Sequence, residues 1–276
     1  MSGLVLVTGA TGKTGRSLSA RLKAAGVGHR EASRGGERPF DWTEPQTWDG
    51  ALEDVGAVYL VAPPTVEDPY SRMIEFLKAA TRKGVGRFVF LGMASLPACG
   101  PAHGQVHQWL KDNSDDWAVV APSAFMQNFV EGSHLASIRA EDTFYSNTGS
   151  GRVPFISADD IARAAFALLT GPAGRNRDFV VTGREALSYD EVAEQISRAC
   201  GRSISHTHIS TEELVGRFLK RGLPEMTARF LAAGYETIAA GAHAQTTDDY
   251  RDLTGAEATT FEAFAQANAQ VWSRPG

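Results

Sequence analysis

Residues 4–16 read Leu4-Val5-Leu6-Val7-Thr8-Gly9-Ala10-Thr11-Gly12-Lys13-Thr14-Gly15-Arg16. Leu4 to Val7 is a short apolar run, long enough for one buried strand. Gly9, Gly12 and Gly15 follow at three-residue spacing, and Leu18, Leu22 and Ala25 then recur at helical spacing until Gly26 stops the helix. Strand, glycine turn and helix open a nucleotide-binding βαβ unit. Glycine lets the backbone bend tightly and approach a pyrophosphate, and the helix N-terminus offers free N–H groups and a positive dipole end. Gly9, Thr11, Gly12, Lys13, Thr14 and Gly15 are therefore candidate cofactor contacts.

Outward from this turn, strands and helices alternate. The pattern predicts strands at 27–33, 39–42, 57–61, 86–91 and 117–121, with helices at 48–55, 68–83 and 105–113 between them. Such alternation means an α/β fold, a Rossmann-type doubly wound parallel sheet with a small C-terminal substrate lobe. The reading is one NAD(P)-binding domain over 1–276, with lobe segments mainly within 130–156 and 184–258. Helices are also expected at 158–169, 189–200, 211–221, 225–240 and 260–272. Ligands of such sheets sit beyond the carboxyl ends of the strands. That rule gathers the glycine turn, Arg34, Ala62, Pro63, Pro64, Met93, Ser95 and the stretch Pro122 to Phe129 around one crevice.

The second strand ends Ala32-Ser33-Arg34, with Arg38 soon after. A guanidinium and a hydroxyl suit a 2′-phosphate, so Ser33 and Arg34 favour NADP(H) over NAD. The competing reading gives the ribose to Glu31, which sits three residues early. Asp41 is placed near the adenine edge.

The composition is that of an ordinary globular chain, 43% hydrophobic and 21% charged, over 276 residues. A net charge of -5 argues against a nucleic-acid or anionic-membrane partner. No apolar run approaches the ~20 residues of a membrane span. The strand begins almost at Met1 and the two cysteines, Cys99 and Cys200, make no disulfide framework, so a cytoplasmic protein is expected. The expected partner is a small-molecule substrate, and the expected assembly a monomer or homodimer. His103 and His107 have metal-ligand spacing, yet no Cys, Asp or Glu nearby completes a site, and no metal is expected.

The glycine spacing resembles that of extended and atypical short-chain dehydrogenases/reductases, in which Thr-Gly-Ala-Thr-Gly is typical. Such enzymes usually carry Tyr-x-x-x-Lys after the fifth strand, a donor and the charge that tunes it. Here the segment reads Cys99-Gly-Pro-Ala-His103-Gly-Gln-Val-His107. Alignment on Trp109-Leu110 puts Cys99 at the tyrosine position and His103 at the lysine position, with Ser95 left for the hydroxyl role. The loss excludes a standard carbonyl reductase and leaves acceptors that are already electrophilic. An iminium ion needs hydride alone.

Gly-Pro-Ala-His-Gly-Gln-Val-His (100–107), Trp-Ala-Val-Val-Ala-Pro-Ser-Ala-Phe-Met-Gln-Asn-Phe (117–129) and Val-Pro-Phe-Ile-Ser-Ala-Asp-Asp-Ile-Ala (153–162) carry a closer resemblance. They resemble the NmrA-like branch of atypical short-chain reductases, and within it the festuclavine/agroclavine dehydrogenase group. Members of that group typically have Arg-Pro-Thr-Trp-Phe where this chain has Ala121-Pro122-Ser123-Ala124-Phe125, a difference that alters the pocket. The resemblance implies NADPH-dependent reduction of a C=N bond in a nitrogen heterocycle. The alternatives are a quinone or enone reductase of the same fold, or a non-catalytic NADP-sensing regulator. The expected catalytic groups are His107, His103 and Ser95, and the expected substrate contacts Phe125, Asn128, Phe129 and Tyr145, because a flat heterocycle stacks on aromatic rings.

Overall fold

The computed structural model describes residues 3–63, 66, 68–94, 100 and 102–273. In chain order its elements are β1 (Leu4–Val7), α1 (Lys13–Ala24), β2 (His29–Glu31), α2 (Trp48–Ala51), β3 (Val55–Leu60), α3 (Pro69–Arg82), β4 (Arg87–Leu91), α4 (His103–Asn113), β5 (Trp117–Pro122), α5 (Leu135–Glu141), β6 (Thr143–Ser146), β7 (Arg152–Val153), α6 (Ala158–Thr170), β8 (Arg177–Val181), β9 (Leu187–Ser188), α7 (Tyr189–Cys200), β10 (Ser205–His208), α8 (Thr211–Lys220), α9 (Glu225–Ala239), α10 (Asp249–Thr254) and α11 (Phe261–Ala267). They form two compact units. The first is 1–122, 158–181 and 248–256, and the second is 123–157, 182–247 and 257–276.

The first unit is a six-stranded sheet in the order β2-β1-β3-β4-β5-β8, with every pairing parallel. The order reverses at β1, the switch point of a doubly wound sheet. Parallel strands must be covered on both faces, so they read as unbroken apolar runs. Val5 to Val7 and Ala57 to Leu60 are accordingly fully buried. α3 turns Met73, Phe76, Leu77 and Ala80 inward at helical spacing, and all four are fully buried. Each large side chain among them contributes about 1.5–3 kcal/mol by leaving water. Phe76 meets Phe40, Trp42 and Trp48 edge to face.

Residues 39–42 form a loop and not the third strand expected from their apolar character. Their backbone is held by side chains instead of a ladder. The Asp41 carboxylate accepts from the Thr43 N–H at 2.8 Å, and the Trp48 indole N–H donates to the Asp41 carbonyl at 2.9 Å. The helix expected at 48–55 is a short 3₁₀ turn, Pro45–Thr47, running into the four-residue α2. The closing helix breaks in the same way into α11 and a 3₁₀ turn, Ala269–Trp272.

In the second unit β6 and β10 pair in parallel and β7 and β9 antiparallel. Its centre is aromatic: Phe129 touches the rings of Phe144, Phe155 and Phe261 at 5.2–5.5 Å from centroid to centroid. α7 and α8 open with complete capping boxes, Ser188 with Glu191 and Ser210 with Glu213.

Arg87, at the start of β4, is 8% exposed. Its Nε donates to Asp116 at 2.7 Å, and Nη1 donates to the carbonyls of Leu168, Leu169 and Gly171 at 3.2, 2.8 and 2.9 Å. One guanidinium thus satisfies the carbonyls left open at the end of α6. Arg87→Ala should destabilise the chain by about 2–3 kcal/mol, because the helix-end carbonyls lose their buried donor and the half-buried Asp116 its ion pair. Urea denaturation followed by circular dichroism measures this, and a loss below about 1 kcal/mol contradicts the assignment.

Candidate functional site

The glycine turn leaves the carboxyl end of β1. Gly9 has φ +63°, and a Cβ on Gly15 would lie 2.2 Å from the Gly9 carbonyl oxygen. Only glycine at position 15 allows that approach. The turn closes with the Gly12 N–H donating to the Gly9 carbonyl at 2.8 Å. Gly12 caps α1 without a side chain, and no acidic residue stands in the first turn. With no side-chain cap and no acidic residue there, the start of α1 suits an anion such as a dinucleotide pyrophosphate. Gly9, Thr11 and Gly12 are exposed, Lys13 is half-buried, and Thr14 and Gly15 are buried. Thr14 locks the turn to the sheet by accepting from the Tyr59 hydroxyl at 3.0 Å.

After β2, the Ser33 carbonyl accepts from the Phe40 N–H at 2.9 Å and closes the loop that carries Arg34. Arg34 is exposed. Its charge, behind the hydrogen bonds from Thr43, helps hold the Asp41 carboxyl below its usual range. Arg38 is differently placed: it is paired with Glu53 and donates to the Gly50 carbonyl at 3.3 Å. Of the two arginines, Arg34 is the more exposed. Ala62 and Pro63 follow β3, with Pro63 buried. The Ala94 N–H donates to the Pro122 carbonyl at 3.0 Å, which ties the loop of Met93 to the end of β5. Pro64, Ser95 and Cys99 lie outside the described residues.

α4 begins at His103, so His103 and His107 are one helical turn apart, but their surroundings diverge. His107 is 8% exposed. Its Nε2 lies 2.8 Å from an Asp178 carboxylate oxygen, and its ring meets Trp117 edge-on at 5.2 Å. Trp117 opens β5 and Asp178 is the second residue of β8. His107 therefore belongs to the amino-terminal ends of the strands, away from the edge where ligands of such sheets bind. This corrects its expected role as a proton donor: it joins α4 to β8.

His103 stays at the carboxyl edge. Its ring stacks on Phe90 at 5.6 Å and an interplanar angle of 25°. Its Nδ1 lies 2.8 Å from the hydroxyl of Tyr70, a residue on the first turn of α3. Burial pushes the His103 pKa down to about 4 and pushes that of Tyr70 up, so both are neutral at physiological pH. Tyr70 is not among the candidates that motif spacing gives, because it precedes the apolar face of α3 that begins at Met73. Its first-turn position two residues after Asp68, the cap of α3, was the available signal.

In the second unit Phe129 is fully buried and accepts the Trp272 indole N–H on its carbonyl at 2.8 Å. It is a core residue, which corrects its expected contact with substrate. Tyr145 donates to Glu141 at 2.6 Å, which raises its pKa, while Arg217 covers its ring at 3.4 Å. Phe125 and Asn128 are half-buried at either end of the turn they close, the Asn128 N–H donating to the Phe125 carbonyl at 3.2 Å. A serine–histidine–aspartate line is also present. Ser146 Oγ lies 2.8 Å from His206 Nε2, and His206 Nδ1 lies 2.9 Å from Asp190. Ser146 is fully buried and its oxygen is shared with Thr148 at 2.7 Å, so the line pins β6 to β10 and α7 and offers no nucleophile to a substrate. Among the described residues no cluster of three or more His, Cys, Asp or Glu side chains could hold a metal ion. No described helix is long and apolar enough to cross a membrane.

The chain matches the NmrA-like family over residues 40–265. It belongs to that family. It is 37% identical to an agroclavine dehydrogenase of Claviceps fusiformis, covering 97% of this chain and 98% of the relative. It is 38% identical to the uncharacterized oxidoreductase YesF of Bacillus subtilis, covering 98% and 96%. Among solved structures it is similar to the triphenylmethane reductase of a Citrobacter species complexed with NADP(H), with a TM-score of 0.77, 23% identity and coverage of 96% and 99%. That last likeness speaks to the Rossmann-type fold alone.

Half-buried and neutral, His103 makes the stability depend on pH. The unfolded chain takes up a proton near the ordinary histidine value of 6.5, whereas folded His103 resists protonation down to about 4. Its contribution is therefore complete above pH 6.5 and is lost as pH falls from 6.5 towards 4. His103→Gln should flatten the fall in unfolding free energy over that window by about 2 kcal/mol, read by denaturant titrations at a series of pH values. An unchanged slope excludes a depressed His103.

Proposed function

We propose that this chain is an NADPH-dependent reductase that delivers hydride to the C=N bond, imine or iminium, of a small nitrogen heterocycle. One observation carries the reading. An uncapped, glycine-lined helix start suited to a dinucleotide stands on the same sheet edge as a first turn of α4 that bears neutral His103, with no Tyr-x-x-x-Lys in the sequence. When bound, NADPH supplies hydride from its nicotinamide ring. The chain's own residues bind, orient and shield. The turn from Gly9 to Gly15 holds the pyrophosphate at the start of α1, with Thr11 and Lys13 beside it. Ser33 and Arg34 take the 2′-phosphate, Arg34 as the planar donor that phosphate geometry suits. Asp41 borders the adenosine, and Ala62, Pro63, Met93 and Pro122 shape the nicotinamide side with small or apolar surface. Phe125, Asn128 and Tyr145 of the second unit remain the candidate substrate contacts.

Hydride addition to an iminium carbon yields a neutral amine with no proton added in the same step. Such chemistry tolerates the loss of a tuned tyrosine, and it gains from positioning and exclusion of water. Membership in the NmrA-like family and similarity to an agroclavine dehydrogenase support an NAD(P)H-dependent oxidoreductase. The charge and the soluble composition are consistent with a small-molecule substrate in a cytoplasmic setting.

The test is a panel of cyclic imines, N-alkyl iminium salts, quinones and enones, followed by nicotinamide absorbance. Turnover of the imines or iminium salts is the expected result. Turnover confined to quinones or enones selects a different acceptor. Tight binding of both NADP⁺ and NADPH with no turnover selects a sensor. For the cofactor, Arg34→Ala should weaken NADPH at least about tenfold, the scale of a charge-assisted phosphate contact, and change NADH less than about twofold. Equal losses for the two cofactors refute the 2′-phosphate assignment.

A further inference from the structure

Tyr70 and His103 come from different helices and meet at the carboxyl edge of one sheet. α3 and α4 each start at that edge, and each brings one ring from its first turn. The hydroxyl and Nδ1 are 2.8 Å apart, the two rings are 4.8 Å apart, and Phe90 backs the imidazole. Both side chains are only half-buried, so each keeps an open side. The residue before His103, Ala102, has φ +59°, a backbone region that a residue with a Cβ rarely adopts. Such strain is tolerated where the surrounding structure fixes a side chain for a purpose.

A neutral imidazole has one N–H and one lone pair, and a phenol has one O–H. The hydrogen bond between them uses one proton. Whichever tautomer is present, one proton donor of the pair remains for a ligand. If Tyr70 donates to Nδ1, the donor is the Nε2–H of His103. If Nδ1–H donates to Tyr70, the donor is the Tyr70 hydroxyl. No charged side chain among the described residues acts on the imidazole, and burial alone keeps it unprotonated. Tyr70 from α3 and Phe90 from β4 face it, and His107 on its own helix is turned to Asp178.

We infer that the Tyr70–His103 pair sets the charge preference of the substrate site, an uncharged aromatic hydrogen-bonding contact that admits a flat cationic heterocycle. The inference rests on the reading of the chain as a nicotinamide-dependent reductase and adds which residues choose the acceptor. In the short-chain pattern this position of α4 carries lysine, whose fixed positive charge repels a cation. Here the pair adds no charge, and Tyr70 supplies a phenol ring of the kind that attracts a cation.

The experiment measures binding rather than turnover. Wild type, His103→Lys, His103→Gln and Tyr70→Phe are loaded with NADP⁺, whose own affinity is recorded first. Each is then titrated calorimetrically with the N-methylisoquinolinium cation and with neutral 2-methylisoquinolin-1-one, which has the same ring frame. Wild type should prefer the cation. His103→Lys should weaken the cation about tenfold and the lactam less than about twofold, since one added charge at a half-exposed site is partly screened. His103→Gln, neutral and hydrogen-bonding, should keep the preference. Undiminished cation affinity in His103→Lys, or equal losses for both ligands, overturns the inference. If the lysine variant does not fold, the ¹⁵N resonances of His103 decide. They should move in Tyr70→Phe and when the cation is added to wild type, and unmoved signals overturn the inference. Failure of wild type to bind NADP⁺ would strike the reductase reading, whereas NADP⁺ binding without a cation preference strikes only the Tyr70–His103 assignment.

Discussion

The approach of two backbone segments at Gly9 and Gly15 is the constraint on which the first unit turns. The carbonyl of Gly9 occupies the place where any side chain at position 15 would begin. This brings α1 against the end of β1, with no side chain capping its first turn. An uncapped helix start costs stability unless something else satisfies it. The chain accepts that cost at α1 and avoids it at α7 and α8, where complete capping boxes are built from Ser188 with Glu191 and Ser210 with Glu213.

The rest of the first unit keeps that edge accessible and rigid. Because the sheet is wholly parallel, α1, α3 and α4 all begin at the carboxyl ends of their strands. The opposite ends of the strands are occupied by structural polar contacts. Arg87 closes the last turn of α6, and His107 joins α4 to Asp178. Both are buried polar groups with matched partners, which fixes helix positions at the cost of desolvation. His107 and His103 differ by one helical turn, and that turn separates a structural histidine from one at the ligand-binding edge.

The parallel sheet and the glycine turn were legible because local pattern and global fold agree there. Val5 to Val7, Ala57 to Leu60 and the spacing from Gly9 to Gly15 each point to the same architecture without help from distant residues. The loop at 39–42 was not legible as a loop. Phe40 and Trp42 are apolar because they pack with Phe76, and periodicity cannot tell a buried loop aromatic from a strand residue. The site was legible in part. Arg34 follows from its place after β2, whereas the engagement of Arg38 by Glu53 depends on a residue fifteen positions away. Phe129 looked like a pocket aromatic and is core for the same reason that Phe40 looked like a strand. The Tyr70–His103 contact spans thirty-three positions, and no local spacing rule joins them.

A tyrosine–histidine pair drawn from two helices is uncharged, unlike a tyrosine–lysine pair on one helix. In the usual arrangement the lysine charge lowers the phenol pKa and favours proton transfer to a developing alkoxide. Here burial raises the Tyr70 pKa and depresses that of His103, so the pair holds its protons tightly and releases none readily at neutral pH. A group of that kind is poorly suited to protonating a carbonyl oxygen. It is well suited to an acceptor whose carbon is already electron-poor, where a strong acid adds nothing and a nearby cation is a hindrance. On the proposed reading, the absence of that charge therefore suits an electron-poor acceptor on the same sheet edge as the glycine turn.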